Sequence, residues 1–339
     1  MKNHIAIWSR VLALTLLGSS ASAQVPPSVE QAETLKRRQE TQQMQDKVRT
    51  GESAPILSPE EMIDVGPQSI LRMKRRQTWF EASADSQLLY TSNILLTEGN
   101  SPFNRGTSFL VSGVSAALAP QPFQLGNGLF APRVGVRHQW FNYGIGDGSL
   151  ERDLAISNPD FDAQAAFADA RYRFAENWIA DAGVDALRIL NHTPSYDSYQ
   201  ETYKEVGLRW GLLRQFPFTE TRLLALGYEG SHHFGSTRGA FLGSSSDRSE
   251  HSALLAYTHA LTPQLVMQPY YRFLYTWYTR GASRNDYLNS VGLSLSYYFT
   301  SWCSARCFVA YDFKESDNAL VADYRKFDGG AGLNLTFRF

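Results

Sequence analysis

"LNLTFRF", residues 333–339, closes a chain of 339 residues, and it alternates. Ala331, Leu333, Leu335, Phe337 and Phe339 fall on one face of an extended strand, because successive strand side chains point to opposite faces. Gly330, Gly332, Asn334, Thr336 and Arg338 fall on the other. One face suits an oily surrounding, the other water. The C-terminus of a water-soluble protein is ordinarily a polar, poorly ordered tail. Here a strand runs to the final residue.

The same alternation recurs upstream. From about residue 78 the chain reads as strands of ten or more residues separated by turn signals. They fall near residues 78–91, 107–119, 129–143, 161–174, 178–191, 201–215, 221–234, 249–261, 265–280, 285–299, 305–314 and 326–339. An even count near twelve is what a closed antiparallel barrel with both chain ends on one side requires. The connections alternate too. "AENW", "PFTE", "LTPQ" and "SWCSAR" are tight, whereas "LTEGNSPFNRG", "GIGDGSLERDLAISNPDF" and "GSTRGAFLGSSSDRSE" are long. A two-layer sandwich also alternates, but its loops vary equally at both ends. Trp178 and Trp302 at tight turns, with Trp140, Tyr143, Trp277 and Tyr278 toward the long loops, have the spacing of two interfacial aromatic girdles.

The N-terminal part is different. Lys2, His4 and Arg10 precede the apolar "VLALTLLG" and the small-residue "ASAQ", the layout of a secretory signal cleaved after Ala23. No run of about 18 apolar residues is present, which excludes a conventional membrane helix. A formal net charge of -1 leaves no electrostatic footprint for nucleic acid. Residues 24–76 are rich in Glu, Gln, Lys and Arg, with Ser28 and Gln31 placed as a capping box. Val29, Leu35, Met44 and Val48 are too sparse for a core-facing stripe. The segment is expected to be a helical or disordered periplasmic arm, free for a periplasmic partner.

The terminal "LTFRF" resembles the C-terminal aromatic signature of bacterial outer-membrane proteins. The resemblance covers residues 78–339 and concerns architecture. It implies an all-β fold, a closed antiparallel transmembrane β-barrel of about twelve strands, inserted in outer-membrane lipid. It also implies recognition by the barrel assembly machinery, with Phe337 and Phe339 as the assembly signal. The division is a signal peptide over 1–23, the arm over 24–76 and the barrel over 77–339.

Strand parity sorts the charges. Glu81, Asp85, Arg133, Arg137, Asp169, Arg171, Arg173, Asp181, Asp185, Glu205, Arg209 and Arg272 fall on the wet face, and they are the candidates to line a lumen. Twelve strands about 4.8 Å apart and tilted about 40° enclose a backbone diameter of about 24 Å, more than half of it filled by side chains. The leading expectation is a narrow channel for small solutes. A non-conducting barrel that anchors the arm is the alternative, and an envelope lipid hydrolase at the rim is the third reading. Ser231, His192, His232, His233 and His251 are the hydrolase candidates, although adjacent strand residues such as His232 and His233 face opposite sides. No Gly-x-Ser-x-Gly elbow, His-Glu-x-x-His or phosphate loop occurs, so no enzyme, cofactor or metal is expected. Cys303 and Cys307 flank a predicted turn, which suggests a disulfide stapling one hairpin.

Overall fold

Antiparallel strands can leave no unpaired edge only by closing into a ring. The computed structural model, which describes residues 27–49, 78–99, 101, 105–143, 160–192, 199–237, 246–280, 284–319 and 321–339, has that closure. The strands are β1 (Phe80–Thr91), β2 (Thr107–Leu118), β3 (Phe123–Leu125), β4 (Gly128–Tyr143), β5 (Phe161–Ala175), β6 (Trp178–His192) and β7 (Tyr199–Thr219). They continue with β8 (Arg222–Thr237), β9 (Arg248–Ala260), β10 (Leu265–Tyr278), β11 (Asn285–Tyr298), β12 (Cys303–Ser316) and β13 (Tyr324–Arg338). Each pairs antiparallel with its sequence neighbour, except that β2 pairs with β4 and β1 with β13. The result is a closed twelve-strand barrel with β3 outside the ring.

The terminal string makes the closure. β13 pairs with β1 from Glu81↔Arg338 to Thr91↔Asp328. Beyond that ladder, the Phe80 amide donates to the Phe339 carbonyl at 2.9 Å, and the Phe339 amide donates to the Phe80 carbonyl at 3.0 Å. The extra strand lies in the β2–β4 connection, "PQPFQLGNG" (residues 120–128), which is longer than the tight turns between the other strands on that side. β3 folds back on β4 through a two-residue turn at Gly126, whose φ of +59° suits glycine at the first central position of a hairpin turn.

Parity governs what faces out. Leu333, Phe337 and Phe339 are exposed on the exterior, as are Val134, Val136, Val206, Leu208, Trp210, Val291 and Val309. The opposite parity holds the polar residues, Gln139, Glu205, Glu250, Gln268, Ser294 and Asp312 among them, all buried. The architecture is that of outer-membrane barrels, apolar without and polar within. Two of the expected girdle residues turn inward instead. Tyr143 shares parity with the inward Phe141, and Tyr278 is buried; each follows an outward tryptophan at an odd offset, so alternation sends it to the other face.

The expected disulfide is also corrected. Cys303 and Cys307 are free thiols on one strand, opposite Leu335 and Ala331 of β13. Four extended residues separate their Cα atoms by about 13 Å, well beyond the ~7 Å that a disulfide spans. The strand begins at Cys303, earlier than the sequence pattern indicates, so both cysteines lie after the turn.

Two outcomes check this fold. Val136 sits mid-strand between Ala116 and Ala166 on the exterior, and Val136→Arg is expected to destabilise the barrel by about 2–4 kcal/mol in a denaturant titration of the protein reconstituted into bilayers. Unfolding the protein in an alkylating reagent without reductant should modify both cysteines; modification only after reduction would contradict the strand geometry.

Candidate functional site

The inward face meets a helix. α1 (Pro27–Arg49) carries PSVEQAETLKRRQETQQMQDKVR, and its side chains from Ser28 to Gln39 are buried or half-buried. Val29, Ala32 and Leu35 recur every three residues and so share one helix face. They pack against Leu89, Phe109, Val111, Phe141, Phe161, Ile189, Tyr203 and Phe308. These partners come from β1, β2, β4, β5, β6, β7 and β12, so the helix lies within the ring. Residues 27–39 are therefore not a free periplasmic arm. The expectation failed because it sought the broad apolar stripe of a helix on a hydrophobic core, whereas this wall is largely polar and needs only a narrow one. The expected signal peptide and, of the arm, residues 24–26 and 50–76 lie outside the described residues.

Charges stitch the rest of α1 to the wall. Lys36 Nζ donates to Asp185 Oδ2 at 3.0 Å, Arg37 to Glu250 Oε2 at 2.6 Å, and Arg38 to Asp312 Oδ2 at 3.1 Å and Asp328 Oδ2 at 2.6 Å. In the opposite sense, Arg248 donates to Glu33 and Lys314 to Glu30 at 3.4 Å. Tyr324 donates to Glu30, Tyr143 to Gln31, and Arg272 to the Arg37 carbonyl at 3.3 Å. Cations of the helix thus meet wall acids, and its acids meet wall cations. Removing charge from water is costly, and burial is tolerated where each group finds a partner.

Arg248 is the centre of the densest cluster. Its side chain, 1% exposed, bonds Glu205 at 3.0 Å, Glu250 at 2.8 Å, the Tyr203 hydroxyl at 3.1 Å, and Glu33 of the helix. His233 joins through Nδ1 to Glu205 at 3.1 Å, and its Nε2 lies 2.9 Å from Ser231 Oγ. Ser231 and His233 share the inward parity of β8, and β7 supplies Glu205 from the position opposite Gly235, diagonal to His233. Serine, imidazole and carboxylate therefore come together, but in the lumen under α1 and not at a lipid-facing rim, which corrects the rim-hydrolase reading. His232 and His251 point outward, to Ser249 Oγ and the Tyr228 hydroxyl, both at 2.8 Å. His192 ends β6. Glu33, Glu205 and His233 also offer ligand atoms within 4.8 Å of one another, but Arg248 already supplies the positive charge there.

The inward candidates divide. Glu205 and Asp185 touch the helix or its cluster. Arg133, Arg137, Asp169, Arg171, Asp181, Arg209 and Arg272 line, with Lys36 and Gln39, a cavity of about 130 Å³ beside it. Arg133 and Arg209 both reach Asp169 at 3.1 Å, so both signs interleave on this wall. Glu81 pairs with Arg338 at 2.9 Å near the turn end, and Asp85 accepts from Gln87 at 3.2 Å. Arg173 lies opposite Leu129 and Ile179 in the β4–β6 ladder. Sequence reading missed Arg248, Glu250, Asp286, Lys326 and Asp328, although their strand parity, extended to the loop ends, marks them as inward. At that end Leu96 of the β1–β2 loop packs on Leu274, Leu288 and Tyr324, and the Ile94 carbonyl accepts from Gln31 at 2.9 Å.

Arg248→Met is expected to cost about 3–5 kcal/mol in unfolding free energy, because three carboxylates lose their shared cation. Adding Glu205→Gln should recover part of that loss in the same titration; strict additivity of the two changes would contradict the cluster.

No protein-family model and no curated protein sequence matches the chain. Among solved structures, an outer-membrane channel from Pseudomonas putida F1 is 14% identical with a TM-score of 0.49, over 77% of this chain and 96% of that one. The β-domain of the Bordetella autotransporter BrkA is 14% identical with a TM-score of 0.45, over 77% and 100%. The KdgM porin is 9% identical with a TM-score of 0.38, over 75% and 99%.

Proposed function

We propose that this chain, exported by residues 1–23, sits in a bacterial outer membrane as a narrow channel that its own helix α1 holds shut. The apolar exterior supports the membrane location, since a ring of exposed Leu, Val and aromatic side chains around a polar lumen is the surface an outer-membrane barrel turns to lipid. The tight turns then face the periplasm and the long loops the cell exterior, with Phe337 and Phe339 on the outer face as the signal read by the assembly machinery.

The observation that carries the reading is the paired helix. Lumen charges of both signs remain around the cavity beside it, and they would act on small polar solutes once the helix moves. A barrel that only anchored an arm would have no need to engage that arm at Asp185, Glu250, Asp312 and Asp328 around the wall. Helix exit would break these ion pairs together and expose Val29, Ala32 and Leu35 to water, which is the cost that keeps the helix in place.

Planar-bilayer recording tests the proposal. The full chain is expected to be silent or to open rarely, and deletion of residues 27–49 should produce steady stepwise current. Equal conductance from both would remove the plug, and silence from both would favour the anchoring alternative.

A further inference from the structure

Alanine recesses the wall on one side of α1. Arg137 and Gln139 are inward neighbours on β4, and the β5 residues opposite them are Ala165 and Ala163. Two methyl groups where the neighbouring positions carry long side chains leave a hollow, which Phe167 and, opposite Ala165 on β6, Leu187 continue. The Arg133 and Arg137 guanidinium carbons lie 4.9 Å and 6.0 Å from the centre of the Phe167 ring. The helix supplies the remaining side with Lys36 and Gln39, and Gln39 Oε1 accepts from Arg137 at 3.5 Å. Between helix and wall lies the cavity of about 130 Å³. An engineered apolar cavity of about 150 Å³ takes up benzene, so one ring or a short alkyl chain fits here.

The polar groups around the hollow call for an acceptor. Gln139 is 4% exposed, and its Nε2 is buried with no hydrogen-bond partner among the described residues. Such a donor is costly to leave unmatched. The acids of the same lining are engaged. Asp169 holds Arg133 and Arg209, each at 3.1 Å, and Asp185 holds Lys36 at 3.0 Å. Glu33 and Glu205 share Arg248, Asp181 faces Arg171 across the β5–β6 ladder, and Glu229 is within electrostatic reach of Arg37. A cationic guest would find these carboxylates taken, whereas a carboxylate would find the Gln139 amide and the Arg137 guanidinium two residues apart on one strand face, and charge-assisted hydrogen bonds are the strong ones. We propose that the cavity binds a small organic carboxylate, with its oxygens on Arg137 and Gln139 and its apolar body on Ala163, Ala165 and Leu187. Lys36 and Gln39 close the other side, so the guest makes more contacts when α1 is seated and holds the helix there. The site rests on the seated helix of the channel reading and not on conduction.

Isothermal titration of benzoate and hexanoate into the full chain, folded in lipid nanodiscs, tests it. Saturable binding of at least one of the two, one per chain, is expected. Benzamide, the uncharged counterpart of benzoate, should bind at least about tenfold more weakly. Ala165→Leu fills the hollow without altering a charge and should abolish binding; Arg137→Gln and deletion of residues 27–49 should each weaken it by about tenfold or more. Failure of both carboxylates to bind, benzamide as tight as benzoate, or full affinity in Ala165→Leu would overturn the site. Full affinity after the deletion would overturn the part given to α1. The benzamide comparison uses the unaltered chain, so it decides the matter even where a variant misfolds. Recording in planar bilayers separates this site from the channel: carboxylate binding by a chain whose deletion form stays silent keeps the site and removes the channel, and steady current from the deletion form with no binding by the full chain does the reverse.

Discussion

Every backbone amide and carbonyl that faces hydrocarbon must find a partner within the protein, since lipid offers none. For strands, that demand has one solution, a ring, and this ring closes at the pairing of Phe80 with Phe339. The remaining features follow from it. Closure fixes an inside and an outside, and strand parity then dictates which residues face outward and which meet the lumen. The apolar run that ends the chain is what lets its last strand occupy the seam with Phe337 and Phe339 outward.

A polar lumen inverts the usual rule for helix packing. On a hydrophobic core a helix is held by a wide apolar stripe; inside this barrel the wall offers Asp185, Arg248, Glu250, Asp312, Lys314 and Asp328. A helix with Glu30, Glu33, Lys36, Arg37 and Arg38 matches them, and its mean apolar character is low for the same reason. Buried ion pairs contribute little net stability relative to apolar packing, but an unpaired partner costs several kcal/mol. Such a helix is held in one register and depth, because any shift along the axis separates charges on several strands at once.

The barrel was legible in the sequence, and the helix's place in it was not. Alternation is a local signal, and it gave the parity of Val134, Val136, Glu205, Arg209 and Arg272 without reference to any partner. The strand count and the tight turns followed from the same signal. Complementarity between α1 and the wall pairs residues far apart in sequence, more than two hundred positions for Arg37 and Glu250 or Glu33 and Arg248, and no local pattern reports it. The cysteines misled for a related reason, since a shift of two residues in where β12 begins puts both thiols on one strand. Ser231, His233 and Glu205 were singled out by type or parity, but only the β7–β8 register joins them.

Zero-length carbodiimide coupling tests the lumenal helix most directly, because it joins an amine to a carboxylate only where the two already touch. Lys36–Asp185 at 3.0 Å and Lys314–Glu30 at 3.4 Å cross from wall to helix, and the exposed Lys204–Glu201 pair at 3.7 Å lies within one strand as a positive control. Peptide mass spectrometry of the bilayer-embedded chain should find isopeptide links at 36–185 and 30–314 together with the control. Coupling at the control with neither link across the lumen would contradict a helix inside the barrel.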